Sequence, residues 1–243
     1  MTSFRSCVAY LAVVTGVLAA SPASAQSGRV TASVNFGLQA SSGDFTQHST
    51  PTIYLEPASI DIAQDYENGP LFDIGGAVTL FGNIGIGLSY SHTAGDGVAA
   101  IAAQIPDPLV TDRPRGASTS VDGLDHSENA VHLQIFYRFA VSPKMDITVG
   151  VGPTFFSVKQ ELIDTVTVTE PTPTIAPVVV EASDSPVGVN FGADLTYMVN
   201  KTIGAGVLLR YATGSADLAT PSGSSLSLDA GGFQFAGGLR VRF

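Results

Sequence analysis

Apolar and polar residues alternate with a period of two along eight separate stretches of this chain. In the first, Val30, Ala32, Val34, Phe36, Leu38 and Ala40 share one face, opposite Thr31, Ser33, Asn35, Gly37 and Gln39. The second sets Phe72, Ile74, Val78 and Leu80 against Asp73, Gly75, Ala77 and Thr79. The third sets Ile84, Ile86, Leu88 and Tyr90 against Gly85, Gly87, Ser89 and Ser91. The fourth carries Val131, Leu133, Ile135, Tyr137 and Phe139 opposite His132, Gln134, Phe136 and Arg138. The fifth carries Met145, Ile147, Val149, Val151 and Phe155 opposite Asp146, Thr148, Gly150, Gly152 and Thr154. The sixth alternates from Val187 to Tyr197 with Asn190 and Asp194 on its polar face, and the seventh from Ile203 to Tyr211 with Arg210 on its polar face. The eighth ends the sequence, with Phe233, Phe235, Gly237, Leu239, Val241 and Phe243 opposite Gln234, Ala236, Gly238, Arg240 and Arg242. Successive side chains of a strand point to opposite faces, so each stretch predicts a β-strand with one apolar wall.

The connections alternate as well. After the second, fourth and sixth stretches they are minimal, around Gly82-Asn83, Ser142-Pro143 and Asn200-Lys201, with Gly, Asn or Pro to set the turn. After the first, third, fifth and seventh they are long, at 42–70, 93–128, 159–185 and 213–230, and these are expected to be loops. An even strand count, with short turns at one end and long loops at the other, is the plan of an antiparallel up-and-down transmembrane β-barrel. Both termini then lie on the short-turn, periplasmic side.

Charge placement gives the same arrangement. Of the 21 acidic residues all but Asp73, Asp146 and Asp194 fall in the four long connections, and no charged residue interrupts the apolar face of any stretch. A soluble β-sandwich or lipocalin-like barrel would turn this apolar face inward and clothe its outer face with many Lys and Glu. Here the polar face is rich in Gly, Ser and Thr with isolated charges, which suits a cramped interior. Slipping the register by one residue would expose Arg138, Arg210 and Arg240 to lipid, at roughly 2–4 kcal/mol each near the bilayer midplane. The apolar face therefore meets lipid. Tyr137, Phe139, Tyr197 and Phe243 form one aromatic girdle, and Tyr90, Phe155, Tyr211 and Phe233 the other.

Export is written at the start of the chain. Arg5 precedes an apolar run over 8–20, and Ser21-Pro22-Ala23-Ser24-Ala25-Gln26 supplies a small-residue cleavage site, so residues 1–25 read as a secretory signal cut between Ala25 and Gln26. The run is too short to cross a bilayer core, which needs about 20 residues. The mature domain is then 26–243. The only cysteine, Cys7, leaves with the signal, so no disulfide or thiol chemistry is expected. Losing Arg5 takes the net charge from −10 to −11, which disfavours nucleic acid as a partner.

The inward polar residues are the candidate site: Asp73, His132, Gln134, Arg138, Asp146, Asp194, Arg210 and Arg240, with Arg242, Gln39 and Gln234 completing the interior. Arg138 and Asp146 flank the Ser142-Pro143 turn symmetrically and are predicted to pair; Asp194 and Arg210, on neighbouring strands, are predicted to form a diagonal pair. The network reads either as a plug of paired charges in a narrow lumen or as a path for a solute or proton. No catalytic, cofactor or metal site is assigned. Asp125-His126-Ser127-Glu128 holds the residue types of a hydrolase, but adjacent His126 and Ser127 point to opposite faces. The histidines lack metal-ligand spacing. Thr165–Thr169 and 177–180, around Pro171 and Pro173, predict that the fifth and sixth strands continue outward as a hairpin. The apolar run Gly97-Val98-Ala99-Ala100-Ile101-Ala102-Ala103-Gln104-Ile105 reads as a loop folded over the barrel mouth, or as part of a hydrophobic entrance.

Signal, eight alternating strands, three tight turns, four long connections and a terminal Phe243 resemble the small eight-stranded porin-like outer-membrane proteins, the OmpA transmembrane domain, OmpX and OmpW group. The resemblance implies a cell outer-membrane location in a Gram-negative-type envelope. It also implies that Phe243, with Val241 and Leu239, is the assembly signal read by the barrel-assembly machinery. Expected partners are outer-membrane lipids and lipopolysaccharide, periplasmic chaperones during biogenesis, and an extracellular ligand of the loops, with the barrel itself monomeric. The functional expectation is a non-enzymatic structural or surface-interaction protein. The alternatives are a narrow channel or transporter for small hydrophobic or ionic solutes and, less favoured, a lipid-modifying enzyme.

Overall fold

The structure is a computed structural model describing residues 29–41, 43–66, 69–221 and 225–243; the expected signal and its Ala25–Gln26 cut fall outside these. The described residues form strands β1 (Val30–Ala40), β2 (Gly43–Ser49), β3 (Thr52–Ile53), β4 (Glu56–Pro57), β5 (Ser59–Tyr66), β6 (Pro70–Phe81), β7 (Ile84–Pro106), β8 (Pro114–Ser142), β9 (Met145–Thr169), β10 (Thr174–Asp184), β11 (Val187–Met198), β12 (Ile203–Ala219) and β13 (Ser225–Arg242). The eight stretches read from the sequence lie in β1, β6, β7, β8, β9, β11, β12 and β13. Each pairs antiparallel with the next, and β13 returns to β1 in register from Thr31 opposite Arg242 to Ala40 opposite Phe233. The Phe243 N–H completes the seam by donating to the Val30 carbonyl at 2.9 Å. Closure leaves no unpaired edge in the ring, which a wall facing hydrocarbon requires.

Faces fall as the alternation predicts. All eight girdle aromatics stand on the outer wall, while Asn35, Asp73, His132, Arg210, Gln234 and Arg240 are buried in the lumen. The wall fits so closely at the seam that a Cβ on Gly238 would come within 1.9 Å of the Val34 carbonyl oxygen.

The long connections depart from expectation: most of their length is strand. β7 and β8 run past the barrel as a long hairpin, β9 continues to Thr169 and turns back as β10, and β12–β13 extends to Ala219 and Ser225. The apolar run at 97–105, expected as a loop, is the upper part of β7, paired with both β5 and β8. The hairpin predicted beyond the fifth and sixth stretches is present as β9–β10.

The physical reason is an inversion of the wall. In lower β12 the apolar Ile203, Val207, Leu209 and Tyr211 face out while Gly204 and Arg210 face in. In upper β12 Ala212, Ala216 and Leu218 are buried while Ser215 and Asp217 are exposed. β7 does the same, with Ile84, Ile86, Leu88 and Tyr90 outside below, and Ala99, Ile101, Ala103 and Ile105 inside above. A strand keeps its period of two throughout; only the medium outside changes, from hydrocarbon to water. The upper strands enclose two apolar clusters. One is built from Tyr66, Phe156, Val158, Leu162, Leu218 and Leu228 with several Ala, and the other from Ile60, Ile62, Ile101, Ile105, Leu124 and Ile163 with their neighbours. Together these strands form a cap on the barrel.

Candidate functional site

The lumen is organised from the turn end upward. Lowest lie Arg138, Asp146 and Arg242. The expected pair across the Ser142-Pro143 turn is present, with Arg138 Nε 3.7 Å from Asp146, but the closer partner of Asp146 is Arg242 at 2.6 Å. Arg138 also donates to Thr31 at 3.3 Å and lies 5.7 Å from the Phe136 ring centroid.

Above this the other expected pair does not form. Asp194 binds Arg240, and Arg210 reaches across the lumen to Asp73 at 2.8 Å; both members of the latter pair are 2% exposed. Arg210 additionally donates to Gln234 at 2.6 Å and Ser89 at 2.8 Å, and Asn35 bridges Arg240 and Asp73 at 2.5 and 2.8 Å. The diagonal of neighbouring strands is not the shortest route here, because in a narrow ring the opposite wall is within reach of an Arg side chain. Beside these, His132 lies 2.9 Å from both Ser91 and Thr154, and Gln134 donates to Asn190 at 2.5 Å. A buried charge is costly unless paired and fully hydrogen-bonded, and this packing supplies both.

The network continues through Gln234 and Gln39, both expected in the interior, to residues outside the expected set. Gln234 donates to Gln39 at 2.6 Å, Gln39 donates to Glu128 at 2.8 Å, Glu128 is 3.2 Å from His126 Nε2, and His126 Nδ1 is 2.5 Å from Gln160. The Tyr66 ring stacks on the imidazole with centroids 4.4 Å apart. From Asp194 to Gln160 the chain of contacts is unbroken. Asn35, Glu128, Gln160 and Asn190 were absent from the sequence-based set. The signal that could have found Glu128 is its spacing of two from His126, which puts both on one face. His126 and Ser127 do lie on opposite faces, and His126 is 4% exposed.

At the far tip of the cap three turns converge. Arg115 binds Glu170 at 2.6 Å and the Pro106 and Pro171 carbonyls at 3.2 Å, and the Tyr54 hydroxyl donates to Glu170 at 3.1 Å. The Arg115 hydrogen bond holds the Glu170 carboxyl below the usual carboxylate range. Burial, helped by the Glu128 and Asp229 charges, pushes the Tyr66 phenol up to about 12. On the outer wall, hollows of about 530 and 540 Å³ lie beside Asp96, Asp125 and Glu161, and beside Asp61, Ala100 and Ser120. Among the described residues no three His, Cys, Asp or Glu side chains gather to hold a metal ion.

A closed ring with an apolar outer wall, a charged lumen and a water-facing extension defines the class of small outer-membrane β-barrels. The chain belongs to the outer membrane protein beta-barrel domain family, whose model matches residues 10–243. Among solved structures it is similar to the outer membrane protein OprG from Pseudomonas aeruginosa, with 10% identity over 89% of this chain and 96% of that one and a TM-score of 0.51. It also matches the outer membrane protease OmpT from Escherichia coli (11% identity, 88% and 97% covered, TM-score 0.41) and Ail, the attachment invasion locus protein of Yersinia pestis (9%, 88% and 99%, TM-score 0.40). A search of curated proteins gave no match.

Proposed function

We propose that this outer-membrane barrel has a structural and surface-interaction role: a plugged barrel that holds an acidic β-cap outside the cell, with both termini in the periplasm. The observation that carries the reading is the filled interior. Side chains join opposite walls at successive heights, from Arg242 and Asp146 through Arg210 and Asp73 to Gln39 and Glu128, and two apolar clusters close the space above. The outer face of the cap presents Asp61, Asp96, Asp125 and Asp217 to water, which suits contact with a cationic partner or with cation-bridged lipopolysaccharide.

Within the same reading, outer-membrane lipids surround the wall, and the barrel-assembly machinery and periplasmic chaperones handle the chain through its last strand, where Leu239 and Phe243 stand on the outer wall. Planar-bilayer recording of the purified full-length protein tests the plug. The expected trace shows no resolved unitary steps. Reproducible steps that change with Arg210→Ala would instead identify a channel.

A further inference from the structure

We propose that the turn end of the barrel is a binding surface for anionic phospholipid headgroups of the periplasmic leaflet, centred on Lys144 and Lys201. The inference rests on the orientation given above, with the turns on the periplasmic side. The chain carries a formal net charge of −10, yet its turn end has the opposite sign. Arg29, Arg138, Lys144, Lys201 and Arg242 lie there. The one carboxylate side chain among the described residues at that level, Asp146, is buried and already bound by Arg242 at 2.6 Å. The remaining lysine of the chain, Lys159, sits at the foot of the cap and is paired with Glu181 at 3.0 Å. Lys144 and Lys201 are exposed and form no ion pair among the described residues.

The two lysines are neighbours. β9 pairs with β11 down to Tyr197 opposite Met145, so the turn from β8 to β9 and the turn from β11 to β12 stand side by side. The Met198 N–H donates to the Lys144 carbonyl at 2.7 Å and ties them together. Each turn is also braced from within. Ser142 Oγ accepts from the Lys144 N–H at 3.3 Å, and Asn200 Oδ1 accepts from the Thr202 and Ile203 N–H groups at 2.8 and 2.7 Å. Two ammonium groups are thus carried on adjacent, fixed turns, and only the lysine side chains have to be ordered when an anion binds.

Their surroundings select a lipid over a soluble anion. Phe81, Val141 and Val199 are 81%, 51% and 63% exposed, and each stands in or beside one of the three tight turns. Apolar side chains at turn tips are unfavourable in water. At a lipid interface they reach the acyl region while the lysines beside them extend to the phosphates. The aromatic girdle runs into the same zone, with Tyr137, Phe139, Tyr197 and Phe243 on the outer wall. A soluble anion or a cell-wall carboxylate would need the cations without this apolar collar. Zwitterionic headgroups carry phosphate too, but their own cation offsets the attraction, so the surface prefers lipid of net negative charge.

Because the chain has no Trp, one introduced indole reports its own lipid neighbours. Val199→Trp is reconstituted into phosphatidylcholine vesicles, and brominated phosphatidylglycerol or brominated phosphatidylcholine is added at the same mole fraction to quench it. Heat-dependent gel mobility confirms that every variant is folded. Phosphatidylglycerol should quench more strongly. Lys144→Gln and Lys201→Gln should each lower that preference about fivefold, the effect of one lysine beside an anionic surface, and Lys144→Arg and Lys201→Arg should keep it. A Phe233→Trp reporter in the opposite girdle should show no preference. Equal quenching by the two lipids at Val199→Trp, or a preference that the glutamine variants leave unchanged, overturns the headgroup surface. Lysine-dependent sedimentation with isolated peptidoglycan in place of a lipid preference would overturn it in favour of a cell-wall partner. Labelling of Val199→Cys on intact cells by a membrane-impermeant maleimide overturns the orientation, and with it the choice of leaflet, whatever the vesicles show.

Discussion

Replacing Arg210 with leucine is the most informative single perturbation of the lumen. The substitution removes one cation and strands three acceptors: Asp73, which loses its only ion-pair partner among those the structure shows, and the oxygens of Gln234 and Ser89. A buried group left without its partner costs about 1–3 kcal/mol, more when charged, and breaking one side of a buried ion pair costs about 3–5 kcal/mol. Asp73 retains the Asn35 amide at 2.8 Å, and Ser89 can rotate its hydroxyl, so the loss should fall near 4 kcal/mol within that range. The double variant Asp73→Asn/Arg210→Leu removes the uncompensated charge and should recover about half or more of the loss. Urea titration in detergent, followed by tyrosine fluorescence because the chain has no Trp, gives both numbers. An Arg210→Leu loss below about 1 kcal/mol, the size of an exposed pair, or a double variant as unstable as the sum of its parts, would refute the reasoning.

Other parts of the structure make separate predictions. Gly238→Ala places a methyl against the Val34 carbonyl on the β1–β13 seam, so the fraction of protein showing heat-dependent gel mobility should drop sharply. Deleting Phe243 should lower membrane insertion in cells more than it lowers the urea midpoint of barrel already folded; unchanged insertion would remove its role as an assembly signal. The Glu170 carboxyl is held low by Arg115, so its contribution to the cap tip is fully present above the ordinary carboxylate range and is lost as pH falls through its lowered value. Protease cutting near 170–173 should therefore rise only in strong acid, and Glu170→Gln should abolish that dependence. Tyr66 runs the other way: its proton is retained in the fold up to about 12, so cap stability should decline with rising pH above its ordinary value of 10.0, and Tyr66→Phe should flatten the decline.

The barrel was legible because its information is local. Alternation in β1 or β13 states which face is apolar, and Gly82-Asn83 or Asn200-Lys201 states where the chain reverses. The cap was not, because β7 and β12 keep their period while exchanging the chemistry of the two faces near Thr93 and Thr213. A reading that equates an apolar face with the outside ends each strand where the phase inverts. The ion pairs were harder still. Asp194 and Arg210 sit on adjacent strands and look like partners, but their pairing depends on lumen width, which brings β6 and β12 together across the ring. Glu128 was grouped with the surface carboxylates because its residue type says nothing of Gln39 and Gly231, residues 89 and 103 positions away.

The central claim, an outer wall that faces lipid below and water above along the same strands, can be measured directly on β12. The one native cysteine, Cys7, lies in the expected signal, so single cysteines at Val207, Leu209, Ser215 and Asp217 can be probed on intact cells with a membrane-impermeant maleimide. The inverted wall predicts rapid labelling at Ser215 and Asp217 and protection at Val207 and Leu209. Labelling at Leu209, or protection at Asp217 in a protein that is correctly folded at the cell surface, would contradict it.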